Sequence, residues 1–169
     1  NAAWGRVKRE WQEFARSSLF ASQWARGMLR ALRAGVALEQ LHADPGDSER
    51  SGLLRSVEAD LDGLRGEQTP WAAPFVELVH AGLLIVYRQR ERAIQALRAA
   101  EQGFRAVDMA LYAAAARRRC GVLLGDDAGE QLVASADQTM AEQGVRRPDR
   151  LTRVLAPGFS SPPSSKSGL

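Results

Sequence analysis

The residues best suited to catalysis or metal binding are few in this sequence and stand far apart. The chain contains two histidines, His42 and His80, and one cysteine, Cys120. Zinc ligands on one helix usually stand about three or four residues apart, and no such pair of histidine or cysteine occurs. Cys120 has no candidate general base near it and lies on an apolar stripe, which favours a small buried residue over a nucleophile. We therefore predict no catalytic, metal-binding or cofactor-binding residue.

Motifs for phosphoryl transfer and calcium binding are also missing from the sequence. It has no G-x-G-x-x-G, no H-R-D, no D-F-G and no P-loop. The tripeptide that begins at His42 is His-Ala-Asp, which lacks the arginine of the kinase catalytic loop. Residues 126–130 are too short for a calcium loop and fit the acidic first turn of a helix. We expect that this chain is not an enzyme.

The arginine residues form two groups whose role the sequence leaves open. Arg117, Arg118 and Arg119 span nearly one helical turn, so their side chains point in different directions. They fit a solvated cluster of local ion pairs, or a patch that binds anions or acidic peptides. A second group allows the same two interpretations: Arg146, Arg147, Arg150 and Arg153. Because 20 acidic residues bring the net charge to only +3, the argument for nucleic-acid binding is weak.

The composition indicates a helical domain that is large enough to bury a core. The 169 residues are 45% hydrophobic and 25% charged, and the strong helix formers Ala, Arg, Leu and Glu dominate. No apolar run approaches the roughly 18 residues of a membrane span, and no signal peptide is visible. One cysteine excludes an intramolecular disulfide and fits a reducing cytoplasm. The start at Asn1, without a methionine, suggests a piece of a longer protein.

Apolar periodicity divides the chain into helices joined by turn signals. A long helical stretch covers residues 3–41, with a break at Ser17-Ser18. Its three tryptophans predict a seam between helices, with ligand stacking as the alternative: Trp4, Trp11 and Trp24. Further on, a short closing helix ends at Pro157-Gly158, and Phe159 is expected to fold back onto the domain as a lid.

The second half of the chain repeats itself. Residues 81–84 match residues 120–123 with a shift of 39 positions, and residues 100–104 match residues 136–140 with a shift of 36 positions. A period of about 34 to 39 residues is typical of tetratricopeptide arrays, in which each unit is an antiparallel helix pair. We expect Phe104 to lie in the core between two such units.

The segment from residue 97 to residue 159 resembles the C-terminal end of a known class of proteins. Residues 108–119 contain Asp-Met-Ala-Leu and later Arg-Arg-Arg, and they are followed by Leu124-Gly125, Gln143-Gly144-Val145 and a final Leu-Ala-Pro-Gly-Phe at 155–159. Large bacterial serine/threonine protein kinases of the eukaryotic-like type often end in a tetratricopeptide-like helical region with a similar signature. The resemblance implies a parent kinase whose catalytic domain lies N-terminal to this chain.

We predict an all-α domain of antiparallel helix pairs, arranged as a tetratricopeptide-like right-handed array with a short C-terminal capping helix. The domain covers residues 1–159, and residues 160–169 form a Ser/Pro-rich tail. The helix pairs are expected at about 3–41, 47–87, 90–124 and 126–155. In such an array the first helix of each pair lines an open concave groove.

The predicted function is a cytoplasmic, non-catalytic interaction or regulatory domain from the C-terminal part of a bacterial serine/threonine protein kinase. Its partner would be a protein or peptide, including the parent's own kinase domain, with no cofactor, membrane or nucleic acid. The residues expected to line the partner groove are Glu77, His80, Leu84, Tyr87, Arg117 and Arg118. The alternatives are a helical-repeat segment of a large ATPase-type transcriptional regulator and a basic nucleic-acid-binding module.

Overall fold

A computed structural model of the protein describes residues 2–16, 22–43 and 45–159. Within these ranges the chain forms eight α-helices and no strand. The helices are α1 (Ala2–Arg16), α2 (Gln23–His42), α3 (Asp47–Arg65), α4 (Ala72–Val86), α5 (Arg90–Ala106), α6 (Ala110–Leu124), α7 (Asp127–Glu142) and α8 (Pro148–Leu155). The all-α prediction is confirmed, and the packing of helix pairs is consistent with a helical repeat array. The predicted break at Ser17-Ser18 and the predicted tail at 160–169 lie outside the described residues.

The spacing of apolar residues decides which face of each helix is buried. On α3, the side chains at intervals of three and four residues are at most 3% exposed: Leu53, Val57, Leu61 and Leu64. Arg55 and Glu58 lie on the opposite face and are exposed. Full burial of one such aliphatic side chain stabilises the fold by about 1.5–3 kcal/mol. This stripe therefore holds α3 against its neighbours.

Consecutive helices pack on one another from α2 to α7, which is the arrangement of a helical array. In addition, α2 packs on α4, and α8 packs on both α6 and α7. The first helix, α1, packs on α2 and buries Trp4, which is 6% exposed. Because every neighbouring pair from α2 to α7 is in contact, this packing accommodates more than one division of the chain into helix pairs.

Three aromatic rings from α4, α5 and α6 meet in the core. The ring of Phe75 lies edge-on to Phe104 and to Tyr112, with centroid distances of 4.9 Å and 5.0 Å. Phe104 stacks on Tyr112 at 5.2 Å and is fully buried. The prediction that Phe104 lies in the core is confirmed by its burial and by these contacts, whereas its place between two particular helix pairs stays a prediction.

Three loops that join successive helices have the same backbone form. Each contains one residue with a positive φ: Arg88 (59°), Asp108 (57°) and Gly144 (79°). In each loop the next N–H donates to the carbonyl five residues earlier, with N···O distances of 2.8, 2.9 and 3.0 Å for Gln89 to Leu84, Met109 to Phe104 and Val145 to Met140. This bond closes the end of the preceding helix. The loops at Asp108 and Gly144 are 36 positions apart, which is also the shift of the sequence repeat. The start of α8 therefore corresponds to the start of another repeat unit.

Buried ion pairs connect α2 to α3. The guanidinium of Arg33 donates two hydrogen bonds to the Asp60 carboxylate, at 2.8 and 2.6 Å, and Asp60 is fully buried. About two helical turns earlier on α2, Arg26 binds Glu67, which follows the end of α3, in the same bidentate way, at 2.6 and 2.8 Å. The other face of the Arg33 guanidinium lies over the Trp11 ring of α1, 3.4 Å from the ring centroid. These arginines therefore serve the contacts between helices.

Candidate interaction surface

The predicted groove residues of α4 do not form one open surface. Glu77 and His80 are partly exposed, and Tyr87 at the end of the helix is 45% exposed. Leu84 is only 4% exposed and belongs to the hydrophobic core. The assignment of Leu84 to an open groove is therefore wrong, because its side chain is used in packing between helices.

The two predicted groove arginines of α6 bind acidic residues on neighbouring helices. Arg117 donates from Nε to Glu101 of α5 at 2.8 Å and from a terminal nitrogen to Ser135 of α7 at 3.1 Å. Arg118 donates from Nε to Asp137 of α7 at 2.7 Å. Of the two interpretations of the arginine run, these contacts favour local ion pairs that tie the helices together.

The face shared by α2, α4 and α6 is closed. The hydroxyl of Tyr112 on α6 donates to the sulfur of Met28 on α2 at 3.3 Å, so the two helices meet across this face. An apolar cavity at this face has a volume of about 20 Å³, and Leu155 and Pro157 form part of its wall. Such a volume holds about one water molecule. The open concave side expected from the repeat pattern is filled at this point by the end of the chain's own fold.

The segment that closes this face follows α8 and consists of residues 156–159, which we call the strap. Polar side chains of α2 and α6 bind its backbone. The strap's Gly158 N–H donates to Oε1 of Glu39 at 2.7 Å, and its carbonyl accepts from Nε2 of His42 at 2.9 Å. The carbonyl of Ala156 accepts from Nε of Arg119 at 2.9 Å. Three buried backbone groups thus find partners in side chains rather than in a helix or sheet.

The strap also fits its surroundings by shape. Gly158 has φ +86°, and a Cβ there would lie 2.6 Å from Cβ of Leu38 on α2, so only glycine fits without strain. On the same helix, a Cβ on Gly35 would overlap the ring of Pro157. Phe159 is 7% exposed, as predicted for a lid, and the Arg119 guanidinium lies 5.3 Å from the centroid of its ring.

Arg119 is the charged group at the centre of this arrangement. Its pKa is lowered to about 10, mainly by burial; Glu39 acts in the opposite direction, and the nearby Arg118 and Arg153 contribute to the lowering. A group with a pKa of about 10 keeps its proton at neutral pH. The guanidinium therefore remains a cation that can donate to a backbone carbonyl and attract the face of an aromatic ring.

An apolar edge on α2 lies beside the strap. Trp24, Met28 and Leu32 follow one another at intervals of four residues, which places them on one face of the helix. Trp24 is 57% exposed and Leu32 is 42% exposed, whereas Met28 is partly buried. The predicted role of Trp24 in a seam between helices is wrong. The closely packed face of α2 uses small residues instead: Gly27, Ala34, Gly35 and Ala37.

The other residues considered for catalysis or metal binding have structural roles in the fold. Cys120 is 1% exposed and desolvation raises its thiol pKa, as expected for a small core residue. Asp126 caps α7 by accepting from the Gly129 N–H at 2.8 Å, which confirms the predicted acidic helix start. In the part of the chain that the structure describes, no three His, Cys, Asp or Glu residues form a group suited to a metal ion. Across the same ranges, no helix is both long and apolar enough to span a membrane.

Sequence reasoning found some members of the strap site and missed others. The fold-back of Phe159 was expected, and Arg119 was noted only as one of a run of arginines. From the sequence, Glu39 is not singled out, and His42 is considered only for metal binding and for a kinase catalytic loop. No sequence pattern joins these residues, because the hydrogen bonds to Gly158 span 116 and 119 positions.

Comparison of the chain with protein-family models, with curated proteins and with solved structures gave no match.

Proposed function

We propose that this chain is a non-catalytic protein-interaction domain of the helical-repeat type. The observation that carries the proposal is the apolar edge formed by Trp24, Met28 and Leu32. Trp24 and Leu32 are about half exposed, and the partly buried Met28 lies between them on the same helix face. An exposed apolar face of this kind often marks a contact with a partner. Tryptophan and methionine are also enriched at protein interfaces. A rigid helical array is a suitable support for such an edge.

The kinase parent is part of the same proposal and is supported by the residues that resemble the C-terminal kinase signature. Four of these residues, Ala156, Pro157, Gly158 and Phe159, form the strap, whose packing requires glycine at position 158. In this setting, the domain would bind the parent's own kinase domain or a protein that the kinase recruits. If the parent is instead an ATPase-type transcriptional regulator, we expect the same helical domain, but with an ATPase domain in place of the kinase domain elsewhere in the gene.

Nucleic-acid binding is disfavoured by the use that the fold makes of its arginines. Arg26, Arg33, Arg117 and Arg118 each bind a carboxylate of this chain. A phosphate backbone would have to compete with these carboxylates for the same guanidinium groups.

The apolar edge can be tested by site-specific photo-crosslinking in cells that contain the full parent protein. A photoreactive amino acid replaces Leu32 in one variant and Gln95, an exposed residue of α5, in the control. We expect a protein adduct from position 32 that excess unlabelled chain suppresses, and much less adduct from position 95. Equal adducts from both positions, or none from either, would refute the proposed role of the edge.

The absence of catalysis is tested on the purified chain. Calorimetric titration with ATP and Mg²⁺ is expected to give no saturable heat. No phosphate is expected to pass from labelled ATP to a generic substrate protein. Saturable nucleotide binding in the micromolar range would contradict this half of the proposal.

A further inference from the structure

We propose that the surface formed by Glu39, His42 and Arg119 is a peptide-binding site, and that the strap is the ligand it holds within this chain. From another chain it would take a segment of the same chemistry: a small residue, a proline, a glycine and an aromatic residue in succession. The proposal rests on the proposed interaction function and names the kind of ligand.

The polar part of the site recognises backbone rather than side chains. Glu39 accepts from one strap N–H, while His42 and Arg119 donate to two strap carbonyls. Glu39 and His42 lie on α2 and Arg119 lies on α6, and each of these helices packs on its own neighbours: α2 on α3 and α4, and α6 on α5 and α7. Any segment that presents the same N–H and C=O groups can make these bonds.

The apolar part of the site selects the sequence of the ligand. Gly35 leaves the space that the Pro157 ring fills, because a Cβ there would overlap the ring. The close approach of Leu38 admits only glycine at the next position, where φ is +86°. The guanidinium of Arg119 lies near the face of the following aromatic ring. Three successive positions of the ligand are therefore specified.

The covalent link to α8 makes the strap a strong competitor of any external segment. A tethered ligand acts at an effective concentration in the millimolar range, so a free peptide binds the intact chain weakly. The strap is four residues long, and opening such a short segment costs less free energy than unfolding the domain. The site becomes available to another chain when the strap leaves.

The test uses the full chain with Gly158→Ala, which places a Cβ against Leu38 and disfavours the seated strap. The matched control is Gly144→Ala. It also has a positive φ, 79°, but no atom lies within 4 Å of the added Cβ, so it strains the backbone away from the strap. The probe is a fluorescently labelled peptide with the sequence Val-Leu-Ala-Pro-Gly-Phe, and its Gly→Ala version is the control peptide. Binding is followed by fluorescence anisotropy.

We expect the probe to bind the Gly158→Ala chain saturably and at least about tenfold more tightly than the unmodified or Gly144→Ala chains. This ratio is the effect of removing an intramolecular competitor. The control peptide should bind at least about tenfold more weakly than the probe. Adding Arg119→Gln to the Gly158→Ala chain should weaken probe binding by a similar factor while circular dichroism remains helical.

Several results would overturn the proposal. One is a folded Gly158→Ala chain that binds the probe no better than the control peptide. If this variant does not fold, the full chain with Phe159→Ala, which removes the aromatic ring of the strap, is used with the same probe. Failure of both variants to fold would show that the strap is an integral part of the core and not a ligand. Photo-crosslinking at position 32 does not depend on the strap site. If the peptide titration fails but the adducts at position 32 are still found, the peptide-binding proposal is refuted and the proposed interaction function is not.

Discussion

Replacing Phe104 by alanine is expected to lower the free energy of unfolding by about 3–5 kcal/mol. The side chain is fully buried between α4, α5 and α6. Loss of its burial accounts for about 1.5–3 kcal/mol, and loss of the two ring contacts, to Phe75 and Tyr112, accounts for about 0.5–1.5 kcal/mol each. The sum agrees with the range of about 3–5 kcal/mol found for Phe→Ala substitutions in protein cores.

The change in the free energy of unfolding is measured by urea unfolding, followed by the circular dichroism signal at about 222 nm, which depends on the helical content. For a domain of this size each 1 kcal/mol corresponds to about 2–4 °C in Tm, so a decrease of roughly 10 °C is expected. Tyr87→Ala is the control, since Tyr87 is an aromatic residue that is 45% exposed. If Phe104→Ala and Tyr87→Ala destabilise the domain equally, the three-ring cluster is not a centre of its stability.

Three further predictions concern polar contacts. Asp60→Ala should reduce the free energy of unfolding by about 3 kcal/mol, because the mostly buried guanidinium of Arg33, 14% exposed, loses its carboxylate partner. The hydrogen bonds from Arg26 hold the pKa of Glu67 below its ordinary value. The pair therefore stabilises the fold at pH values above the pKa of Glu67 in the unfolded chain, and this contribution is lost as the pH falls through its pKa in the folded chain. Glu67→Gln should flatten this part of the acid unfolding profile. Asp126→Ala should cost about 1 kcal/mol through loss of the α7 cap.

Exposed acidic residues provide the controls for these predictions. Asp62 of α3 is paired only at the surface, where its side chain is 75% exposed, so Asp62→Ala should change stability by less than about 1 kcal/mol. Asp127 lies in the first turn of α7 without being its cap, and Asp127→Ala should cost less than Asp126→Ala. Equal effects within either pair, measured by urea unfolding, would contradict the assigned contacts. An unchanged acid profile in Glu67→Gln would contradict the assignment of that pair.

The helices and the buried face of α3 were predictable because both depend on local sequence. The apolar residues Leu53, Val57 and Leu61 recur at the period of an α-helix, so they lie on one face of α3, and this is the face that can be buried against a neighbouring helix. The repeat shift of 36 positions was visible for the same reason, since it reflects Phe104 and Met140 in equivalent packing positions. Both side chains are fully buried.

The candidate site was not predictable at the same level. A pattern of spacing placed Leu84 and Arg117 on an exposed groove, but it carries no information on which neighbouring helix covers each face. In the fold, Leu84 is covered by core contacts, and Arg117 is bound by Glu101. Trp24 was expected in a seam, and it is exposed because the small residues of α2 make the closer approach.

The sequence by itself determined the helical class, the positions of the turns, the absence of kinase and P-loop motifs, and the fold-back of Phe159. These features follow from the residue types and from spacings of a few positions along the chain. Only the tertiary structure decided that the face of α2, α4 and α6 is closed, and that Glu39, His42 and Arg119 together hold the strap. The physical reason is that these side chains act on backbone groups more than 30 residues away, up to the 119 positions between Glu39 and Gly158. Contacts over such distances arise from the packing of whole helices, which local periodicity does not specify.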